Sequence, residues 1–277
     1  MTKNHNIKIG IFDSGLGGLT VLKSIREQLP NYDYIYLGDN ARAPYGTRSF
    51  DVVYQYTLEA VKYLFSLDCE LIVLACNTAS AKALRTIQQN DLPNMFPERR
   101  VLGVLRPTTE EVGNYTKSGH VGVLGTAGTV RSNSYVIEIE KFFPLVNVTQ
   151  QSCPMWVPLV ENNSFNEKGG QYFIEKYIDE VLSKQPNIDT LILACTHYPL
   201  LKESILKYVP SGVKVVDQGS LVAEKLKYYL ERNNEMKKKL SNSGHLEILT
   251  TEKSEKFDQH LDLFYNSNVK SSSVTLH

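Results

Sequence analysis

Long apolar runs are missing from this 277-residue chain. None approaches the about 20 residues a helix needs to cross a bilayer, and Met1 to Asn6 lead into a strand-like run without the apolar core of a signal peptide. Net charge is missing as well: 30 Lys and Arg offset 30 Asp and Glu. That balance leaves no electrostatic footprint for nucleic acid or an anionic membrane surface, so neither is an expected partner. The four cysteines, Cys69, Cys76, Cys153 and Cys195, never fall into C-x-x-C spacing, which removes the zinc-ribbon and thioredoxin-like readings. No metal is expected. Free thiols fit a reducing compartment, and the expected location is cytoplasmic.

What is present is alternation. Strand-like runs at Ile7 to Phe12, Tyr34 to Leu37, Leu71 to Ala75, Val101 to Val104, Val121 to Leu124, Asn147 to Thr149, Thr190 to Ala194, Val213 to Val216 and Leu246 to Leu249 are separated by helix-length stretches. The longest of these are Val52 to Leu67, Lys168 to Ser183 and Leu221 to Arg232. The pattern predicts an α/β protein with mainly parallel sheet flanked by helices. Asn233 to Gly244, rich in Asn, Lys and Ser, reads as a surface loop with Lys237 to Lys239 solvated, and Lys270 to His277 as a frayed tail.

Two segments end alike: Leu71-Ile72-Val73-Leu74-Ala75-Cys76-Asn77-Thr78 and Leu191-Ile192-Leu193-Ala194-Cys195-Thr196-His197. Each is a buried-strand pattern that stops at Ala-Cys and passes into helix-opening residues, the place where open α/β sheets carry their chemistry. A thiol facing a helix N-terminus has its thiolate favoured by unpaired N–H groups and the helix dipole. A second echo joins Lys8-Ile9-Gly10-Ile11-Phe12-Asp13-Ser14-Gly15 to His120-Val121-Gly122-Val123-Leu124-Gly125-Thr126-Ala127. Parallel strands resemble one another, so each match alone is weak; their similar offsets point to two related halves. The expected organisation is two pseudo-symmetric domains, residues 1–106 with 217–277 and residues 107–216, with the active site in the cleft between them.

Several residues near these strand ends could act chemically. Asp13-Ser14-Gly15-Leu16-Gly17-Gly18 is a glycine-rich turn lacking the Lys-Ser/Thr of a P-loop, and its Asp13 suits accepting a proton or orienting a neighbour better than holding phosphate. Pro44-Tyr45-Gly46 can wall a pocket and offer N–H donors, although a tight surface turn with Arg42 solvated explains the same residues. Asn77, Thr78 and Thr196 are helix caps or carboxylate ligands. His197 can tune Cys195 or shuttle its protons, whereas Glu161 reads as an exposed helix residue. Cys69 reads as a small core residue, and Cys153 as either packing or a site wall. Two matched thiols in facing halves suit one reaction class, inversion of a stereocentre by proton removal on one face and return on the other.

Taken in order, these motifs resemble the glutamate racemases of the aspartate/glutamate racemase superfamily. The resemblance runs from Ile9 to about Phe264 and rests on Phe12 to Leu19, Gly38-Asp39-Asn40, Pro44 to Ser49, Ala75 to Ser80, Gly125 to Thr129, Cys153-Pro154, Val157 to Glu161 and Cys195 to Leu201. It implies cofactor-independent interconversion of L- and D-glutamate for peptidoglycan, by a homodimer. Cys76 would deprotonate D-glutamate and Cys195 L-glutamate, assisted by Asp13 and His197 respectively, with Glu161 near the second thiol. Asp13, Ser14, Tyr45, Gly46, Asn77, Thr78, Thr126, Thr129, Thr196 and His197 would hold substrate. Arg106 stands where an acidic residue is more usual, a change expected to affect domain-junction or dimer contacts. Apart from Arg42 and Arg48 no arginine lies among the matched motifs of the pocket, so backbone N–H, Asn and Thr are expected to carry the substrate carboxylates. The rival readings are an aspartate racemase, a binding module without turnover, and a Cys76 to Cys195 redox switch.

Overall fold

The computed structural model describes residues 7–265 and 269–276. Its strands are β1 (Lys8–Asp13), β2 (Tyr34–Gly38), β3 (Cys69–Leu74), β4 (Arg100–Gly103), β5 (His120–Gly125), β6 (Asn147–Ser152), β7 (Thr190–Ala194), β8 (Lys214–Val216), β9 (Leu246–Thr250) and β10 (Ser271–Ser273). Contacts divide the chain into one unit of Met1–Val104 with Gly219–His277 and another of Leu105–Gln218. These divisions fall two residues from the boundaries expected at 106 and 217.

The first unit holds a six-stranded sheet in the order β10-β9-β2-β1-β3-β4, with every pairing parallel. Helices cover it because the strands are apolar on both faces; β2 is buried along its whole length. The Phe50–Ser66 helix shows how the covering is built. Ser49 caps it, its Oγ accepting the Val52 N–H at 3.3 Å, and Val53, Ala60, Val61 and Leu64 recur at helical spacing on its buried face. These side chains join Ile35, Leu37, Ile72 and Leu74 from the sheet in one core, where each fully buried aliphatic side chain contributes about 1.5–3 kcal/mol.

The second unit holds a four-stranded parallel sheet in the order β6-β5-β7-β8. This repeats the β2-β1-β3-β4 order of the first unit. The repeat extends to register: Gly10 pairs with Ile72 across β1 and β3, and Gly122 with Leu191 across β5 and β7. In each sheet the chain moves to one side of its central strand and then returns to the other. A crevice therefore opens above the carboxyl ends of β1 and β3 in the first unit, and of β5 and β7 in the second.

Three expectations fail here. Asn233 to Gly244 is not all loop, since residues Asn234–Lys239 form a helix with Asn233 as cap, its Oδ1 accepting the Met236 N–H at 3.2 Å, and Met236 buried beneath it. Lys239 is not merely solvated either, its Nζ lying 3.1 Å from Glu70. Nor is the tail frayed over the residues described, because Ser271–Ser273 adds to the sheet edge as β10, pairing Ser271 with Ile248. The expected tail also included His277, which lies outside the described residues.

Candidate active site

Above the first crevice, β1 delivers Asp13 and β3 delivers Cys76. The strands are zipped to their ends, with Phe12 opposite Leu74 and the Ala75 N–H donating to Phe12 O at 2.8 Å. Asp13 is fully buried and its Oδ2 accepts the Gly15 N–H at 2.9 Å. Gly18 is required by this arrangement, since a Cβ there would stand 2.5 Å from Asp13 Cβ and 3.1 Å from Ala75 Cβ. Cys76 caps the Asn77–Lys82 helix: the Ala79 N–H donates to its Sγ at 3.5 Å, and its S–H donates to Ser14 Oγ at 3.4 Å. Asn77 and Thr78 follow it, both buried at 2 % exposure. Burial, with Asp13 and Cys76 close by, pushes the Tyr36 hydroxyl well above its ordinary range, and that hydroxyl donates to Gly15 O at 2.7 Å.

The loop after β2 is more tightly held than a surface turn. Asp39, fully buried, accepts hydrogen bonds from the Tyr45 hydroxyl, from Arg42 Nε at 2.7 Å and from Thr251 Oγ1 at 2.8 Å. Arg42 is not solvated as the surface-turn reading had it: it also pairs with Glu59 and lies 4.1 Å over the Tyr56 ring. With its hydroxyl proton committed to Asp39, Tyr45 has its backbone N–H to offer a ligand, as does Gly46. The role of Asp39 and Thr251 was not foreseen, because a partner 212 residues distant leaves no local signal.

In the second unit Gly125 pairs with Ala194, which sets Thr126 beside Cys195. Thr126 caps the Ala127–Ser132 helix, accepting the Thr129 N–H at 3.2 Å, and the two hydroxyls lie 3.1 Å apart. Cys195 differs from Cys76 in what supports it. Its strand runs into a turn and then the short 3₁₀ segment Tyr198–Leu201, which contains Pro199, so it caps no α-helix. Instead His197 Nδ1 lies 4.0 Å from Cys195 Sγ, and His197 Nε2 lies 3.0 Å from Glu161 Oε1. Glu161, which its local sequence reads as an exposed helix residue and which the family resemblance placed near the second thiol, is the far end of a thiol–imidazole–carboxylate chain. Burial works against charge on His197, but its hydrogen bonds to Cys195 and Glu161 outweigh that and lift the pKa to about 10.

That chain stands on an aromatic footing which sequence reasoning missed. Trp156, fully buried, opens the Trp156–Glu161 helix; its Nε1 donates to Phe173 O at 3.2 Å and its ring meets Tyr198 edge-on at 4.8 Å. Tyr198, adjacent to His197, donates through its hydroxyl to Cys153 O at 3.2 Å. Cys153 is thereby a packing residue: it is 1 % exposed, and burial pushes its thiol well above the ordinary range. Burial likewise pushes Cys69 up to about 12, in keeping with its expected core role. Among the described residues no cluster of His, Cys, Asp and Glu could hold a metal ion. Among the described residues no helix is long and apolar enough to cross a membrane.

The model of the Asp/Glu/Hydantoin racemase family matches residues 9–226. The chain belongs to this family. It is accordingly an amino-acid racemase, an isomerase, and its relatives narrow the comparison further. It is 39% identical to a glutamate racemase of Persephonella marina over 98% of both chains. The glutamate racemase isoform RacE1 of Bacillus anthracis superposes with a TM-score of 0.88 at 31% identity, covering 98% of each chain. The glutamate racemase of Francisella tularensis, solved in complex with D-glutamate, gives 0.84 at 32% identity with the same coverage. The racemase described here thus shares its parallel α/β sheets with solved glutamate racemases along nearly its whole length.

Proposed function

We propose that this racemase interconverts L- and D-glutamate without a cofactor, using Cys76 and Cys195 as its two acid–base groups, and that it supplies D-glutamate for peptidoglycan. The thiol–imidazole–carboxylate chain Cys195–His197–Glu161 is the observation that carries the reading. In one direction the Cys76 thiolate takes the α-proton of D-glutamate, and the Cys195 thiol returns a proton to the opposite face of Cα. In the other direction the roles exchange. After each turnover the two sulfurs have swapped protonation, and the opposite substrate or exchange with solvent restores the start.

The α-proton of an amino acid beside an ionised carboxylate is weakly acidic, so the site must supply electrostatic help at the moment of transfer. On the Cys195 side a cationic His197 faces the sulfur. On the Cys76 side the Ala79 N–H and Ser14 hydroxyl do so, with Asp13 orienting the glycine turn. Asn77, Thr78, Thr126, Thr129 and Thr196, with the N–H groups of Tyr45 and Gly46, are the proposed holders of substrate. We place the enzyme in the cytoplasm as a homodimer.

Circular dichroism of each enantiomer in heavy water, with metal-free and pyridoxal-free protein, tests the reading. The expected result is loss of optical activity from both enantiomers with deuterium at Cα, abolished in Cys76→Ala and in Cys195→Ala. Activity on aspartate alone would refute the substrate assignment. Undiminished racemisation in either variant would refute the two-thiol mechanism.

A further inference from the structure

Lys82 is a buried ammonium to which the proposed mechanism gives no part. It closes the Asn77–Lys82 helix at 7 % exposure, in a helix where Asn77, Thr78, Ala79 and Ser80 are buried as well. Its Nζ donates to the Arg48 carbonyl at 2.7 Å and lies 4.9 Å from the centre of the Phe50 ring. Removing an ammonium from water is costly, and a hydrocarbon side chain would fill the same space without that cost. A charge retained there is explained by the bond it makes.

That bond lands on a particular place. Arg48 is the C-terminal cap of the turn Tyr45–Thr47, which its N–H closes by donating to Tyr45 O at 3.1 Å. The turn is thus held at both ends by buried charge: Asp39 grips the Tyr45 hydroxyl before it, and Lys82 grips the Arg48 carbonyl after it. Lys82 belongs to the helix that Asn77 and Thr78 open, so its bond ties the turn that carries the N–H donors to the helix that carries those two side chains.

We propose that Lys82 is a positioning residue for substrate, setting the spacing between the Tyr45–Gly46 donors and the Asn77–Thr78 side chains without touching the substrate itself. This rests on the proposed function, in which both groups hold glutamate. A residue acting in this way changes binding of ground state and transition state alike, so it moves KM and leaves kcat in place.

Steady-state racemisation of both enantiomers by Lys82→Met tests it, with Lys82→Arg as the variant that keeps a cationic donor. Lys82→Met is expected to raise KM about tenfold for each enantiomer, the size of one lost charge-assisted hydrogen bond, with kcat within about twofold of native. Lys82→Arg is expected to recover most of the native KM. An unchanged KM in folded Lys82→Met, a fall confined to kcat, or no recovery in Lys82→Arg would overturn the inference. If Lys82→Met does not fold, Lys82→Gln carries the same expectation; if neither folds, Lys82 is a stability element only and the inference fails. The native protein is assayed first. Its failure to racemise glutamate refutes the proposed function, whereas a racemising native protein with an indifferent Lys82→Met refutes this inference alone.

Discussion

Replacing His197 with Asn isolates the charge beside Cys195. Asn keeps a neutral amide donor near the position of Nδ1 and removes the cation. In the native fold that cation lies 4.0 Å from Cys195 Sγ. Two unit charges at that distance, in an effective dielectric of about 20, attract with about 4 kcal/mol, which sets a ceiling of about a thousandfold on rate. The amide recovers part of this, so the expected fall in kcat/KM is about a hundredfold. Enantiomers are equal in free energy in water, so kcat/KM must fall by one common factor for L- and D-glutamate. A coupled assay in each direction checks both the size and the equality.

The pH dependence separates charge from shape. His197 has its pKa raised in the fold from 6.5 to about 10. Its stabilising contribution is therefore complete below 6.5 and is lost as pH rises through about 10. The gap between native and His197→Asn should be wide near neutrality and close as the native enzyme itself loses the proton near pH 10. A variant within about threefold of native at neutral pH, or a gap constant up to and beyond pH 10, would refute the assignment of an electrostatic role to His197.

Two further outcomes follow from contacts distant from His197. Gly18→Ala puts a Cβ 2.5 Å from Asp13 Cβ, an overpacking expected to cost about 1–3 kcal/mol in urea unfolding and to lower kcat/KM by displacing Asp13. Asp189 accepts from Thr116 Oγ1 at 2.6 Å and from the Lys117 and Ser118 N–H groups at 2.6 and 2.7 Å. Partial burial opposes its charge, but these bonds prevail and bring its pKa from 3.8 to about 2. Its contribution is present above 3.8 and lost as pH falls through about 2, so Asp189→Asn should cost about 1–2 kcal/mol at neutral pH, by urea unfolding, and progressively less on acidification.

The strand ends were legible because apolar runs such as Leu191 to Ala194 stop abruptly at polar residues, a boundary set by burial alone. Strand β10 was illegible for the opposite reason: Ser271–Ser273 carries no apolar residue and joins the sheet through its backbone. The Asn234–Lys239 helix was hidden by its composition, since one buried side chain, Met236, makes no periodic stripe. At the sulfurs, the Ala-Cys repeat suggested two equal helix-terminal thiols. Pro199 and the 3₁₀ turn leave Cys195 without an α-helix to cap, and Glu161, 36 residues before His197, reaches it through that imidazole. Matching motifs reported matching strands, while the supports of the two thiols came from elsewhere in the chain.

The strand order of the first unit also governs when that unit can exist. Its sheet joins β2 to β9, and Asp33 at the head of β2 accepts the N–H of His245, 212 residues downstream. A chain emerging from the ribosome therefore exposes one edge of β2 until Leu246–Thr250 has been made, while residues 105–218 already hold every strand of their own sheet. Synthesis order thus favours the second unit folding first, with an unpaired parallel edge waiting in the other. The cost of a nested chain is a period of exposure to aggregation, and it should be greatest for truncations that end before Leu246.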